Sequence, residues 1–229
     1  MRLVWGKILS LIRKLVHWIR RNFLFRFELS RVARQPSLLY DKKTLSRLVY
    51  YWDNPWSARE EYLSGIIDFL SNFSCPVLEC GSGLTTLIVG ELLKDKKVSL
   101  ISLEHDEQWV IEMRRWLKRY NLGHVQIQHV SLKKYMDFDW YDVEERIVDF
   151  PSFGCVICDG PPGSTRGGRY GVLPVMKGKL NNQGVVFLDD AARPGEKQVL
   201  KKWSNEFRIE DIHFYGSSKP YACFKFKRA

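Results

Sequence analysis

Two acids and two glycines are spaced in this chain as a nucleoside site requires. The run Pro76-Val77-Leu78-Glu79-Cys80-Gly81-Ser82-Gly83-Leu84-Thr85-Thr86-Leu87 reads as a short buried strand, a glycine turn and an amphipathic helix continuing to about Lys94. Glycines at 81 and 83 let the backbone come close to a ligand, and the helix start presents free N–H groups and the positive end of its dipole. The next apolar run, Val98 to Leu103, ends in Glu104, 21 residues past Gly83. An acid at that place can accept hydrogen bonds from both hydroxyls of a ribose. The dinucleotide fingerprint asks for a third glycine at position 86, where this chain has Thr86. Glu79 would moreover repel a pyrophosphate and attract an ammonium, so the pattern argues against NAD.

The second half carries further acids at the ends of apolar runs. Asp159 follows Phe153 to Cys158, and Asp189 and Asp190 follow Val185-Val186-Phe187-Leu188. Arg166 and Arg169 lie between them in a glycine-rich stretch. Arginine is too basic to abstract a proton and well suited to binding an acidic substrate. The five histidines, at 17, 105, 124, 129 and 213, are scattered, and no Ser-His-Asp or Cys-His constellation is visible.

These residues need a scaffold that brings them together. After the glycine turn the chain alternates: helix Glu107 to Tyr120, strand Val125 to His129, strand Phe153 to Cys158, helix Tyr170 to Leu180, strand Gly184 to Leu188, helix Gly195 to Asn205. Alternation predicts a parallel sheet covered on both faces, with ligands at the carboxyl ends of the strands, where Gly81, Glu104, Ser131 and Asp159 all fall. The chain closes with Arg208 to Phe214 and Tyr221 to Lys227, aromatic-rich strands joined by Tyr215-Gly216-Ser217-Ser218-Lys219-Pro220, a hairpin signal.

Glu79-Cys80-Gly81-Ser82-Gly83-Leu84-Thr85-Thr86, Ser102-Leu103-Glu104-His105-Asp106 and Asp159-Gly160-Pro161-Pro162-Gly163 together resemble a bacterial group of class I S-adenosylmethionine-dependent methyltransferases with E-x-G-S-G-x-T-T and D-G-P-P-G motifs. The similarity runs from about Val77 to Ala192, and the C-terminal hairpin also fits. It implies an α/β, Rossmann-like class I methyltransferase fold: a mostly parallel seven-stranded sheet with a C-terminal antiparallel hairpin, here behind an N-terminal amphipathic helix. It implies S-adenosyl-L-methionine as cofactor, with Glu79, Gly81 and Gly83 at the methionine portion and Glu104 at the ribose. The Val130-Ser131-Leu132 loop would meet the adenine, although Ser131 departs from the acid common in the wider class. Ser82, Thr85, Thr86 and His105 complete the expected cofactor contacts.

By the same resemblance Asp159 lies beside the sulfonium and is the first candidate for an essential carboxylate, with Arg169 and Asp190 as further catalytic candidates. The distance in sequence from Asp159 to Asp189 and Asp190 is similar to that between the metal-binding acids of catechol-type O-methyltransferases. Those three carboxylates would suit Mg2+, which would bind an acceptor hydroxyl and lower its pKa. Asp190 has the alternative of capping the next helix or pairing with Arg193. The lysine base of the catechol-type enzymes is missing, since its position is Pro162. The D-G-P pattern is also similar to plant glucuronoxylan methyltransferases, which points to an O-directed reaction on a small-molecule or glycan acceptor.

The net charge of +10 sits at one end. Residues 1 to 50 hold twelve Lys and Arg against Glu28 and Asp41, and the remaining 179 residues carry 24 charges of each sign. We therefore divide the chain into a basic N-terminal extension, 1 to 50, and a methyltransferase domain, 51 to 229. A neutral catalytic body argues against nucleic acid, and Asp159-Gly160-Pro161-Pro162-Gly163 has no aromatic residue to stack on a flipped base. A non-catalytic scaffold of the same fold is the remaining alternative, and it would have no need of Glu79, Glu104 and Asp159.

At 100° per residue, Val4, Trp5, Ile8, Leu9, Leu11, Ile12, Leu15, Val16, Trp18 and Ile19 fall within one half-turn, and basic or small residues fill the other. Such a helix lies in the interface of an anionic membrane or packs its apolar face on protein; interrupting charges keep it from spanning a bilayer. Residues 28 to 62 read as a linker followed by a helix starting near Ser57, and Tyr50, Tyr51, Trp52 and Trp56 as core or as the floor of a substrate pocket. Five cysteines without a disulfide-like spacing point to a reducing compartment, hence a cytoplasmic protein, with the helix peripheral at the inner face of the membrane. Cys155 and Cys158, three apart on a strand, face opposite ways and form no metal or redox pair.

Overall fold

The computed structural model describes residues 2–228. Its centre is a seven-stranded sheet in the order β3-β2-β1-β6-β7-β9-β8. The strands are β1 (Val77–Cys80), β2 (Leu100–Glu104), β3 (Val125–His129), β6 (Phe153–Cys158), β7 (Leu180–Leu188), β8 (Arg208–Tyr215) and β9 (Tyr221–Lys227). β3, β2, β1, β6 and β7 run parallel, and β9 slots in antiparallel between β7 and β8. A hairpin of β4 (Leu132–Lys134) and β5 (Asp139–Tyr141) lies outside this sheet and had no sequence signal.

Strand period divides the interior into two layers. Val77, Leu100, Cys155, Ile157 and Phe187 point into one core, and Leu78, Leu103, Val156, Cys158 and Leu188 into the other. Cys155 and Cys158 thus face opposite sides, as the spacing requires. The first layer is covered by α3 (Lys42–Trp52), α4 (Glu60–Ser71), α5 (Leu84–Leu93) and α6 (Glu107–Arg119). The second is covered by α7 (Val172–Met176) and α8 (Pro194–Glu206), with Trp140 and Trp203 fully buried.

The N-terminal segment departs from the linker expected over 28 to 62. α1 (Arg2–Ile19) runs through a π-helical turn, Arg20–Leu24, into α2 (Phe25–Arg34), and α3 follows a 3-10 turn at Pro36–Tyr40. Phe25, Leu29, Val32, Leu39, Leu45 and Leu48 are buried in the same core as α5. The periodicity was there to read, but Glu28 at its centre masked it. Glu28 is buried because Arg31 and Arg47 both bond its carboxylate, at 2.9 and 2.7 Å. Asp41 caps α3 by accepting from the Lys43 and Thr44 amides. α4 begins at Glu60, three residues later than expected, because 53–59 form a loop. Within the aromatic cluster only Trp52 is fully core, while Tyr50 and Trp56 are exposed.

Candidate functional site

The carboxyl ends of β1, β2 and β6 meet in one cavity of about 420 Å³, within the size range of small-molecule sites. Its floor is two glycine turns back to back. Gly81 has φ +89, and a Cβ there would lie 3.0 Å from the Gly160 nitrogen. A Cβ on Gly160 would lie 2.6 Å from the Tyr141 hydroxyl and 2.9 Å from Gly81 Cα. Both positions therefore require glycine. Gly83 differs: its backbone is extended and a Cβ would meet nothing within 4 Å, so its bare surface faces open space at the α5 N-terminus.

Behind this turn Glu79 is fully buried. Thr86 Oγ1 donates to its Oε2 at 2.6 Å and accepts the Gly83 amide at 2.8 Å, so Thr86 both caps α5 and aims the acid. The Ser102 hydroxyl, its cross-strand neighbour on β2, is the second hydroxyl at this carboxyl. Burial pushes the carboxyl up to about 8. A buried acid met only by neutral hydroxyls fits a cationic ligand group, which would hold the ionised form.

Glu104, at the end of β2, is wired to the same turn. Its Oε2 accepts from the Ser82 amide and hydroxyl at 3.0 and 3.1 Å, and its Oε1 accepts from the His105 and Asp106 amides at 2.7 and 3.0 Å. Burial alone would raise its pKa; the hydrogen bonds outweigh it and bring the value below the ordinary range. Trp109, whose indole donates to Ser82 O at 2.9 Å, and Trp52 close the wall nearby.

On the opposite wall three acids cluster as expected, with one oxygen of each of Asp159, Asp189 and Asp190 lying within 4.8 Å of the others. Each carboxylate has at least one oxygen engaged by the chain's own cations, while Asp189 Oδ1 is buried without a hydrogen-bond partner. Arg169, 2 % exposed, donates to Asp159 Oδ1 at 2.9 Å, to Asp190 Oδ2 at 3.2 Å and to the carbonyls of Asp159 and Asp189. Arg193 pairs with Asp190 Oδ2 at 2.7 Å, the alternative the sequence left open. Lys219, from the β8–β9 turn, lies 2.5 Å from Asp189 Oδ2 and 3.4 Å from Asp190 Oδ1. Arg169, Arg193 and Lys219 sit on these three carboxylates, with the buried Glu196 a fourth acid 3.8 Å from Arg169, and a dication at the cluster would have to displace the cations. The cluster does not fit Mg2+.

The structure thus brings Gly81, Ser82, Gly83, Thr85, Glu104, His105, Asp159, Arg169 and Asp190 to the cavity wall. Glu79, Thr86 and Asp189 lie directly behind it. Ser131 and Leu132 stand apart from the lining, and Tyr141 of β5 is present instead. Arg166 does not reach over the site. It holds the β4–β5 hairpin through Asp139 and the carbonyls of Tyr135, Met136 and Phe138. Trp52 and Trp56 line the cavity, the pocket alternative for the aromatic cluster, and Lys219 reaches it from a turn far along the chain that no local spacing marks.

Asp159 is half-buried beside Asp189, and both effects raise its pKa above the carboxylate range; Arg169 and Lys219 act in the opposite sense. The cavity therefore presents two ends. One has Glu79, Glu104 and the glycine turns; the other has a basic carboxylate flanked by cations.

No family model matches this sequence, and no curated protein does. Solved structures do match. An O-methyltransferase from Bacillus cereus in complex with SAH is 12% identical with TM-score 0.58, over 86% of this chain and 96% of that one. An SAH-bound methyltransferase from Podospora anserina is 18% identical with TM-score 0.56, over 79% and 87%. A precorrin-6y C5,15-methyltransferase from Geobacter metallireducens is 11% identical with TM-score 0.52, over 76% and 92%. The fold is the Rossmann-like fold of class I methyltransferases.

Proposed function

We propose that this protein transfers the methyl group of S-adenosylmethionine to an oxygen of a small or glycan-type acceptor. The observation that carries the reading is Glu79, a fully buried acid held by Thr86 behind the Gly81–Gly83 turn with no cation among the described residues beside it. A pyrophosphate-binding turn would not keep an acid there; an amino acid ammonium uses it. The SAH complexes among the structural neighbours support the same cofactor.

Glu79, held by Thr86, binds the ammonium, and bare Gly83 leaves room beside it. Glu104 takes the ribose hydroxyls, with the Ser82 hydroxyl, a free rotor, yielding its place on Oε2. When bound, S-adenosylmethionine supplies a sulfonium methyl group already activated toward a nucleophile, so the protein's task is alignment. Asp159, paired with Arg169, accepts the proton of the acceptor hydroxyl at its carboxylate. Arg169 fixes Asp159 in place. Lys219 and Arg193, with side chains 20% and 49% exposed, line the acceptor end and would bind a carboxylate such as that of an acidic sugar. No metal enters these steps.

The test is transfer of label from methyl-tritiated S-adenosylmethionine into fractionated acceptor pools. Wild-type protein labels an O-methyl product and Asp159→Asn loses it at least about 100-fold. An Asp159→Asn variant as active as wild type removes that residue from the mechanism.

A further inference from the structure

Among the described residues, the apolar side chains of α1 face away from the rest of the protein. Leu9, Leu11, Ile12, Leu15, Val16, Trp18 and Ile19 are all exposed, as is Trp5; the side chains of Val4, Gly6, Lys7 and Ile8 on the same wheel lie outside the described residues. The helix holds the domain by its basic edge. His17 Nδ1 lies 2.9 Å from Asp53 Oδ2, Arg20 donates to Asp53 Oδ1 at 3.2 Å, and Arg21 pairs with Glu112 and lies over the Trp52 ring. The apolar stripe is thereby turned outward.

We propose that this outward face docks on an anionic lipid bilayer and that the acceptor is an amphiphile presented by that bilayer, its headgroup entering the cavity past Trp56. The acceptor half of this rests on the methyl-transfer reading; the docking half does not.

Charge selects the occupant. The first 27 residues contain seven Lys and Arg and no acid; Arg20 and Arg21 are held by Asp53 and Glu112, and Arg13 and Lys14 beside the apolar stripe are exposed. A second copy laid on this face would bring like charges together without a complementary acid, whereas anionic headgroups neutralise them while the apolar stripe enters the acyl boundary. Tryptophans at 5 and 18 suit that boundary, where an apolar ring with one polar N–H is favoured. No helix among the described residues is long and apolar enough to cross a membrane, so the mode is lying on the surface.

Asp53 ties this face to the site. It ends α3 in the left-handed region, φ 52, and turns the chain into Asn54-Pro55-Trp56-Ser57-Ala58, all of which line the cavity. Trp56 is 78% exposed at this rim, and three residues of chain put it no more than about 10 Å from the residue that α1 grips. A surface that receives α1 therefore lies next to the cavity rim.

Hydrogen exchange and flotation of the full chain with phosphatidylcholine vesicles, with and without phosphatidylglycerol, test the proposal. We expect flotation only with phosphatidylglycerol, weakened by salt, and protection both over residues 9–27 and over 54–58. Leu15→Glu with Trp18→Glu, both exposed in the folded chain, lowers vesicle affinity at least about tenfold and leaves S-adenosylmethionine binding unchanged. Absence of flotation, or a concentration-dependent dimer that protects 9–27 in the absence of lipid, overturns the docking surface. Protection of 9–27 without 54–58 overturns the route to the cavity. A chain that floats as expected but binds no S-adenosylmethionine contradicts the methyl-transfer reading instead and leaves the docking surface standing.

Discussion

Arg169 holds Asp159 through two bonds from one nitrogen, to Oδ1 and to the main-chain carbonyl, each at 2.9 Å. The same guanidinium reaches Asp190 and the Asp189 carbonyl, so it joins the ends of β6 and β7 across a buried acidic cluster. It occupies the place that a metal would take in a site of three free carboxylates.

Removing that cation leaves Asp159 and the buried Glu196 without their charged partner, while Asp190 keeps Arg193 and Asp189 keeps Lys219. Arg169→Met should cost about 3–5 kcal/mol in stability, measured by urea unfolding, because the uncompensated charges dominate. Arg169→Lys keeps the charge but not the planar fork, and should recover only part of the loss. A variant as stable as wild type would show that the cluster holds itself together by other means.

Glu79 makes cofactor binding depend on pH. Its carboxyl, pushed up to about 8 by burial, is protonated in the empty protein at neutral pH, and an ammonium beside it favours ionisation. Binding of S-adenosylmethionine should then release a proton, and affinity should climb with pH up to about 8, by at most about tenfold per pH unit, and level off above. Calorimetry in buffers of different ionisation enthalpy reads this directly; identical heats would contradict it. The empty protein shows the opposite trend. An acid raised from 4.5 to about 8 gives stability that is complete below pH 4.5 and lost as pH rises through about 8. Glu79→Gln should flatten both dependences.

The two turn glycines separate structure from binding. Gly160→Ala drives a methyl group into Tyr141 and Gly81, and should lower the Tm and abolish cofactor binding together. Gly83→Ala meets nothing in the empty protein, so it should unfold like wild type and yet bind S-adenosylmethionine at least about tenfold more weakly. Equal affinity in Gly83→Ala would mean that the cofactor does not approach that backbone.

The fold was readable where one period governs a whole segment. β3, β6 and β9 have the bounds their residues predict, because alternating or fully apolar runs end at clear polar breaks. α2 and α3 were missed because a buried ion pair interrupts the apolar stripe, and β4–β5 because three-residue strands carry too little pattern. In the site, Glu79, Gly81, Glu104 and Asp159 were legible from local spacing, since each ends a strand or opens a turn. The roles of Arg169, Lys219 and Trp56 depend on which distant segments fold together. Spacing along the chain does not encode that, so Mg2+ was expected where Arg169, Arg193 and Lys219 hold the oxygens.

The most direct measurement is a calorimetric titration of the full chain with S-adenosylmethionine and, separately, with NAD, each with magnesium and with EDTA. One S-adenosylmethionine per chain with the same affinity under both conditions, no heat from NAD, and loss of binding in Glu104→Ala is the predicted result. No binding of S-adenosylmethionine, or binding that EDTA removes, would contradict the site described here.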